Sequence, residues 1–258
     1  MAYAKINSVT NANMAKVNSA AKAALGKIGS IDAPSTGLIN TYSIAFDAAD
    51  DFMVSGGNVT YDEGSFITWV KCTGTSGQIL WHVSGYYYLY RYSGDELRFR
   101  HGMTGSTNVT VDINDGNWHC IVGTAEGGSG ESSTVKGYVD GSLVVEETET
   151  NTYTVPDDVI TFGAWPGSGA SMLNGSLDEV GFWSSVLTAA EVTALYNSGT
   201  PIDLKTNAGD YASSANLLNW WRMGDGDTYP TIQDNQGSND LTMTNMAAED
   251  IESDVPSA

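Results

Sequence analysis

Cysteine is nearly absent from this sequence: Cys72 and Cys120 are the two among 258 residues. That excludes the disulfide framework by which small secreted domains are stapled. Both lie in strand-like stretches, where two buried free thiols are the simpler reading and a cross-link the other. Apolar runs of membrane-spanning length are also missing. Within residues 1–30, Asn, Ser and Lys interrupt every short apolar run, so the block that a secretory signal needs is not there. Basic residues are scarce, eleven against thirty-one acidic, for a formal net charge of −20. Such a body repels phosphate backbones, which argues against nucleic acid as a partner and leaves a divalent cation as the better match. Histidine is scarcer still. His82, His101 and His119 fall on different segments, and no Ser–His–Asp or Cys–His arrangement accompanies them.

What is present is glycine and aromatic side chain. Twenty-nine glycines and thirteen tyrosines favour turns and strands over helix bundles, and the length suffices for one large β core or two small ones. Charge is uneven along the chain. Residues 1–31 hold four lysines and no acid, so the remainder carries −24. Within that head, Met14, Val17, Ala21 and Leu25 make a narrow apolar stripe at helical spacing beside Lys22, and Gly26 and Gly29 stop it. A helix so short and weakly apolar is unstable alone. Residues 1–33 therefore read either as an anchor that orders on a partner or as a disordered leader.

The stretch 174–199, NGSLDEVGFWSSVLTAAEVTALYNSG, organises the rest. Leu177, Val180 and Phe182 predict a buried strand. Thr188 and Glu191 form a capping-box pair that starts a helix over about 188–198, with Val192, Leu195 and Tyr196 on one face. Gly199 is expected at the left-handed position after it, and Pro201 prevents continuation. A lone short helix amid strands predicts an all-β fold, a two-sheet antiparallel β-sandwich with one helix packed across it. Residues 34–258 are assigned to that body, with 200–258 returning to complete it, because Leu217, Trp220 and Trp221 are too apolar for water. In the aromatic hairpin 78–102, a loop of Ser93–Gly94 or of 93–96 puts Tyr88, Tyr90, Leu97 and Phe99 on one face. Tyr87, Leu89, Arg91, Arg98 and Arg100 then share the other.

The 174–199 stretch resembles the closing segment of laminin-G-like jelly rolls of the concanavalin A-like lectin and glucanase superfamily. SIAFDAADDFMV at 43–54 is similar to that family's opening strand, and 114–147 to its central hairpin, with Trp118–His119 followed by a turn at Asp140–Gly141. Residues 217–245 are similar to a further strand pair. The resemblance implies a jelly roll and leaves function open among lectins, enzymes and structural modules. It also implies a structural calcium, with Asp47, Asp178 and Asp234 as candidate ligands. A solvated acidic surface accounts for the same residues. The leader resembles N-terminal segments of tailed-bacteriophage virion proteins.

Catalysis is not expected. Relatives that hydrolyse glucans set two carboxylates about 5 Å apart across the sugar. Here Asp178 and Glu179 are neighbours and so should face opposite sides of a strand, while Glu147 and Glu149 share a face without a third acid. The candidate sugar site is the hairpin face of Tyr87, Arg91, Arg98 and Arg100, a local positive island in an acidic body, with Trp165 in the 163–169 loop as a further aromatic. The same arginines could instead neutralise nearby acids and cover strand backbone with their stems. The expected role is a non-catalytic bacteriophage virion protein (decoration, fibre or tail component) that displays a lectin-like jelly roll towards a host-surface glycan. Its leader would bind other virion proteins, and the display could be as a homo-oligomer. The alternative is a carbohydrate-binding module on a bacterial surface or secreted, and a third is a polysaccharide hydrolase.

Overall fold

The computed structural model describes residues 38–257 apart from 75, 85–86, 93–94, 102–106, 128–130, 150–156 and 166–170. The chain divides into two compact units, Met1–Gly37 and Leu38–Ala258. The anchor expected over 1–33, with Met14, Val17, Lys22 and Leu25, lies outside the described residues.

The described residues form sixteen strands, all paired antiparallel. They are β1 Ser43–Asp47, β2 Phe52–Thr60, β3 Gly64–Cys72, β4 Gln78–Val83, β5 Tyr87–Tyr92, β6 Glu96–His101, β7 Thr107–Thr110, β8 Trp118–Glu126, β9 Ser133–Val139, β10 Ser142–Glu149, β11 Asp157–Phe162, β12 Asn174–Trp183, β13 Leu217–Trp221, β14 Thr231–Ile232, β15 Leu241–Thr244 and β16 Ile251–Glu252. The first sheet runs β10-β9-β8-β3-β12-β1-β16, with β13 also paired to β12. The second runs β14-β15-β2-β11-β4-β5-β6-β7. The chain alternates between the two sheets over β1 to β4 and again over β10 to β12, while β4 to β7 and β8 to β10 each run as a meander within one sheet. Residues after 200 supply strands to both sheets: β13 and β16 to the first, β14 and β15 to the second.

Between the sheets lies one apolar cluster that includes Phe66, Trp81, Leu89, Phe99, Phe182 and Trp221. The Trp81 ring meets Phe66 edge-on at 4.7 Å and Phe182 at 5.0 Å, the geometry that suits aromatic quadrupoles. Burying a side chain of this size contributes about 2–3 kcal/mol.

A second cluster covers the outer side of the first sheet, where Trp69, Trp183, Trp220 and Tyr211 pack with Val192 and Leu195. Val192 and Leu195 belong to α1, Ala189–Tyr196, whose start is the expected capping box: the Glu191 amide donates to Thr188 Oγ1 at 3.3 Å and the Thr188 amide to Glu191 Oε2 at 2.9 Å. The end of α1 differs from expectation. Gly199 has the expected positive φ (98°), but Asn197 and Ser198 before it are already left-handed (φ 44° and 56°), within a 3-10 turn, Asn197–Gly199. Asparagine tolerates that region better than most side chains do, so the helix stops two residues early. Cys72 belongs to the inter-sheet cluster and Cys120 to the outer one. They therefore lie on opposite sides of the first sheet, and both are free thiols. No helix among the described residues is long and apolar enough to cross a membrane.

Candidate functional site

The two sheets differ in what covers them. α1 and the chain after it close off the outer side of the first. Among the described residues no element lies across the second sheet at β4, β5 and β6, and that face is aromatic. Tyr92 pairs with Glu96, Tyr90 with Arg98 and Tyr88 with Arg100. The β5–β6 connection is therefore the three residues 93–95, with Asp95 at φ 60°. An odd connection reverses the parity that a two- or four-residue loop would give. Tyr87, Leu89 and Arg91 consequently face inward with Leu97, Phe99 and His101, and Tyr88, Tyr90, Tyr92, Arg98 and Arg100 face outward.

This corrects the expected sugar face. Tyr87 is 4% exposed in the inter-sheet core. Arg91 is 2% exposed and donates through Nη1 to the Ser76 carbonyl at 2.7 Å. Neither can meet a ligand on the outer side. Arg98 and Arg100 do reach that side and are joined there by the three tyrosines. The Arg98 guanidinium lies 4.8 Å from the Tyr92 ring centroid and donates to Asn108 Oδ1 at 2.8 Å and Glu96 Oε1 at 3.3 Å. Arg100 lies 5.5 Å from the Tyr88 ring. Tyr90 hydrogen-bonds Ser171 at 3.0 Å through their hydroxyls. Tyr88 is itself 6% exposed, so the ring that these contacts present to solvent is that of Tyr92, 43% exposed, with Tyr90 partly exposed beside it, and a pyranose stacks against surfaces of that kind.

Trp165 joins this face. Its ring lies parallel to the His82 imidazole at 5.0 Å and 15°, and edge-on to Tyr88 at 5.7 Å. His82 and Thr161 were not candidates in the sequence, yet cross-strand pairing lines up Thr161, His82, Tyr88 and Arg100 on β11, β4, β5 and β6. Burial pushes the His82 pKa down to about 4, against the pull of Asp158 and of the nearby Ala164 backbone. The imidazole is neutral at pH 7. The alternation of Tyr88, Tyr90 and Tyr92 was the signal that could have marked the face, once an odd loop was considered.

The predicted metal ligands do not converge. Among the described residues, the acidic group with ligand-type oxygens within 4.8 Å of one another is Asp47, Asp50 and Asp51. Asp51 already accepts the Asp47 amide at 2.9 Å, and Asp47 accepts the Ala49 amide at 2.7 Å. Calcium needs six to eight oxygens, and this cluster offers a partial set on a largely exposed turn. Asp178, four residues along β12 from the Asn174 that pairs with Asp47, is fully buried. Asp234 is saturated with donors: the amides of Trp220, Gln236, Gly237 and Asn239 and the Asn219 side chain all point at it. It ties the 234–239 loop to β13.

The carboxylates considered for catalysis are likewise engaged. A bulge in β12 sets two residues, Glu179 and Val180, against the single Thr68, and Glu179 takes φ 43°. That overturns the expectation of opposite faces. Asp178 pairs with Trp69, and Glu179 reaches the Trp220 indole, both on the outer side of the first sheet. There Glu179 accepts from Trp220 Nε1 at 2.6 Å and pairs with Arg222 Nε at 3.1 Å. Asp178 accepts from Asn40 Nδ2 at 2.7 Å. With exposures of 0% and 2%, the two acids have no open cleft between them. Glu147, on the edge strand β10, pairs with Val135 and has no second carboxylate opposite it.

No curated protein matches the chain. Among solved structures, it is similar to a candidate carbohydrate binding protein from Bacteroides ovatus ATCC 8483, with TM-score 0.65 and 14% identity over 86% of this chain and 62% of that one. The chain thus spans less than two thirds of that protein. It is more distantly similar to a SAP-like pentraxin from Limulus polyphemus, with TM-score 0.47 and 13% identity over 61% of this chain and 82% of that one. A third similarity is to the receptor binding domain of botulinum neurotoxin D, with TM-score 0.44 and 13% identity over 67% and 47%. The family model of the Concanavalin A-like lectin/glucanases superfamily matches residues 46–193. With its two antiparallel sheets and that match over more than half its length, the chain belongs to the concanavalin A-like lectin/glucanase superfamily.

Proposed function

We propose that this chain is a non-catalytic carbohydrate-binding protein whose ligand lies on the outer side of the second sheet, across Tyr90 and Tyr92. One observation carries the reading: the two sheets are finished differently. The first has its aromatic outer side sealed by α1 and Tyr211. The second leaves Tyr92 43% exposed beneath Arg98. The likeness in fold to the Bacteroides ovatus protein, itself described as carbohydrate binding, supports the same reading. Engagement of Asp178 and Glu179 in a buried network supports the non-catalytic part. Binding of the full chain to a glycan array, weakened by Tyr92→Ala and by Arg98→Ala, is the expected result. A wild-type chain that binds no glycan, or one whose binding ignores both substitutions, overturns the site.

We further propose that the domain is displayed on a bacteriophage virion, with residues 1–33 as the attachment. The four lysines and the apolar stripe of Met14, Val17 and Leu25 support this role. Deletion of residues 1–33 should leave glycan binding intact and abolish incorporation into particles. Retained incorporation removes the anchor role.

A further inference from the structure

The sugar-binding reading does not use the deepest part of the same face. His82 is 7% exposed and Thr161 is 1% exposed, and they pair across β4 and β11. The Ala164 backbone approaches the His82 ring but makes no well-aligned hydrogen bond with it, so both ring nitrogens and the Thr161 hydroxyl lack a partner of good geometry. Other unpaired buried atoms, such as Trp81 Nε1 and Thr107 Oγ1, belong to side chains turned into the sandwich. Here three polar atoms sit together on an outward-facing row. Buried polar groups are ordinarily satisfied, and leaving them unsatisfied costs stability that leucine or valine at these positions would not forfeit. Elsewhere in the molecule comparable groups are held: His101 by the Asp62 carbonyl and Ser133, Glu191 by Ser213 and the Ala212 amide. What lies against His82 is an aromatic plane, the Trp165 indole, at a partly exposed position.

Building on the carbohydrate-binding reading, we propose that His82 and Thr161 form a hydroxyl-reading subsite for one neutral sugar ring, reached when the Trp165 indole slides from the imidazole and stacks on the sugar instead. The donor and acceptor counts match. A neutral imidazole offers one N–H and one lone pair, and threonine offers a rotatable O–H with two acceptor sites. Two adjacent sugar hydroxyls offer the complementary set. Tyr88 and Trp165 supply the apolar walls for the ring's C–H faces. The imidazole is kept neutral by burial, so it brings no charge to attract a carboxylate. The nearest cations are already engaged, Arg100 with Tyr88 and Arg98 with Glu96 and Asn108. The subsite therefore selects an uncharged sugar.

The test uses the full chain, titrated calorimetrically with the methyl glycosides of glucose, galactose and mannose and with glucuronic acid. Variants are Thr161→Val, which keeps the side-chain shape, His82→Leu, Trp165→Phe and, on the first sheet away from the binding face, Lys136→Gln. Expected is binding of at least one neutral glycoside, weakened about tenfold or more by Thr161→Val and His82→Leu, as happens when a site built to read a hydroxyl loses one partner. Lys136→Gln should leave that binding unchanged. Thr161→Val should also raise the melting temperature, because it removes an unsatisfied buried hydroxyl. A purely structural hydroxyl would lower stability and leave binding alone, and that result overturns the subsite, as does a preference for glucuronic acid over the neutral glycosides. If the wild-type chain binds sugars through Tyr92 but Thr161→Val has no effect, the subsite fails and the broader reading stands. If it binds none of these probes and no glycan on the array, both fail.

Discussion

Glu179 accepts the Trp220 indole N–H at 2.6 Å while standing next in sequence to Asp178, a carboxylate with no solvent exposure. Burial, the Arg222 guanidinium and the neighbouring acid set the balance, and burial dominates. The Glu179 pKa rises to about 8, and Asp178 is pushed well above the usual carboxylate range by burial and by Glu179. A carboxyl whose folded pKa lies above its unfolded value supports the fold fully below the unfolded pKa. That support is lost as pH rises through the folded value. Urea unfolding should therefore show stability falling between about pH 5 and pH 8. Asp178→Asn should flatten that decline and stabilise the chain at pH 8 by about 1–2 kcal/mol. The unpaired Asn40 Oδ1 is then available, after an amide flip, to accept from the new side chain.

His119 adds to the same decline of stability with rising pH. Its Nδ1 meets Asp140 Oδ2 at 2.8 Å and its Nε2 meets Asp115 Oδ1 at 3.2 Å, and the hydrogen bond to Asp140 is the main cause of a raised pKa. The stabilisation is complete below the unfolded value of about 6.5 and disappears as pH climbs through the folded one. Asp115, held down to about 2 chiefly by the Asn117 amide, contributes above its unfolded value and fails only as pH falls through 2. His119→Gln should thus destabilise the chain at pH 5.5 by about 1 kcal/mol and have a smaller effect at pH 9, measured by denaturant midpoints.

Asp234→Ala is expected to be among the most damaging single changes outside the apolar core. It strips the acceptor from four amides and one side-chain amide at once. A cost of about 3 kcal/mol is expected, since each orphaned buried donor is unfavourable and the group acts as a unit. Thermal melts in calcium and in a chelator should show the same loss. A loss seen only in calcium would mean that Asp234 is a metal ligand instead.

Tyr92→Ala should separate binding from folding. The side chain is 43% exposed and contacts Tyr90 and Arg98, so its removal should shift the melting temperature little. Glycan affinity should fall about tenfold, the scale of one lost stacking surface.

The helix start could be read from the chain because a capping box is local chemistry, fixed by Thr188 and Glu191 alone. The two-sheet class was equally legible from alternation in strands such as β6 and from the apolar runs of β3 and β12, buried on both faces. What sequence could not supply was parity. Whether Arg91 or Arg98 faces water depends on a loop being three residues long rather than two or four, and Ser93–Gly94 suits several turns. The β12 bulge had the same effect on Glu179, since an extra residue leaves no compositional mark. His82 and Thr161 became visible only when pairing set them side by side with nothing to bond. Asp234 looked like a cation ligand because carboxylates that gather amides and carboxylates that gather metals have the same sequence.

The β5–β6 connection gives one surface loop an uncommon burden. Most such loops tolerate insertions, because they alter only what dangles in solvent. Lengthening 93–95 by a single residue would instead exchange the two sides of β6 relative to β5, sending arginines into the apolar interior and phenylalanine out into water. Drift in this lineage should therefore add or remove residues there in pairs, and an engineer grafting a new loop at this site should count in twos.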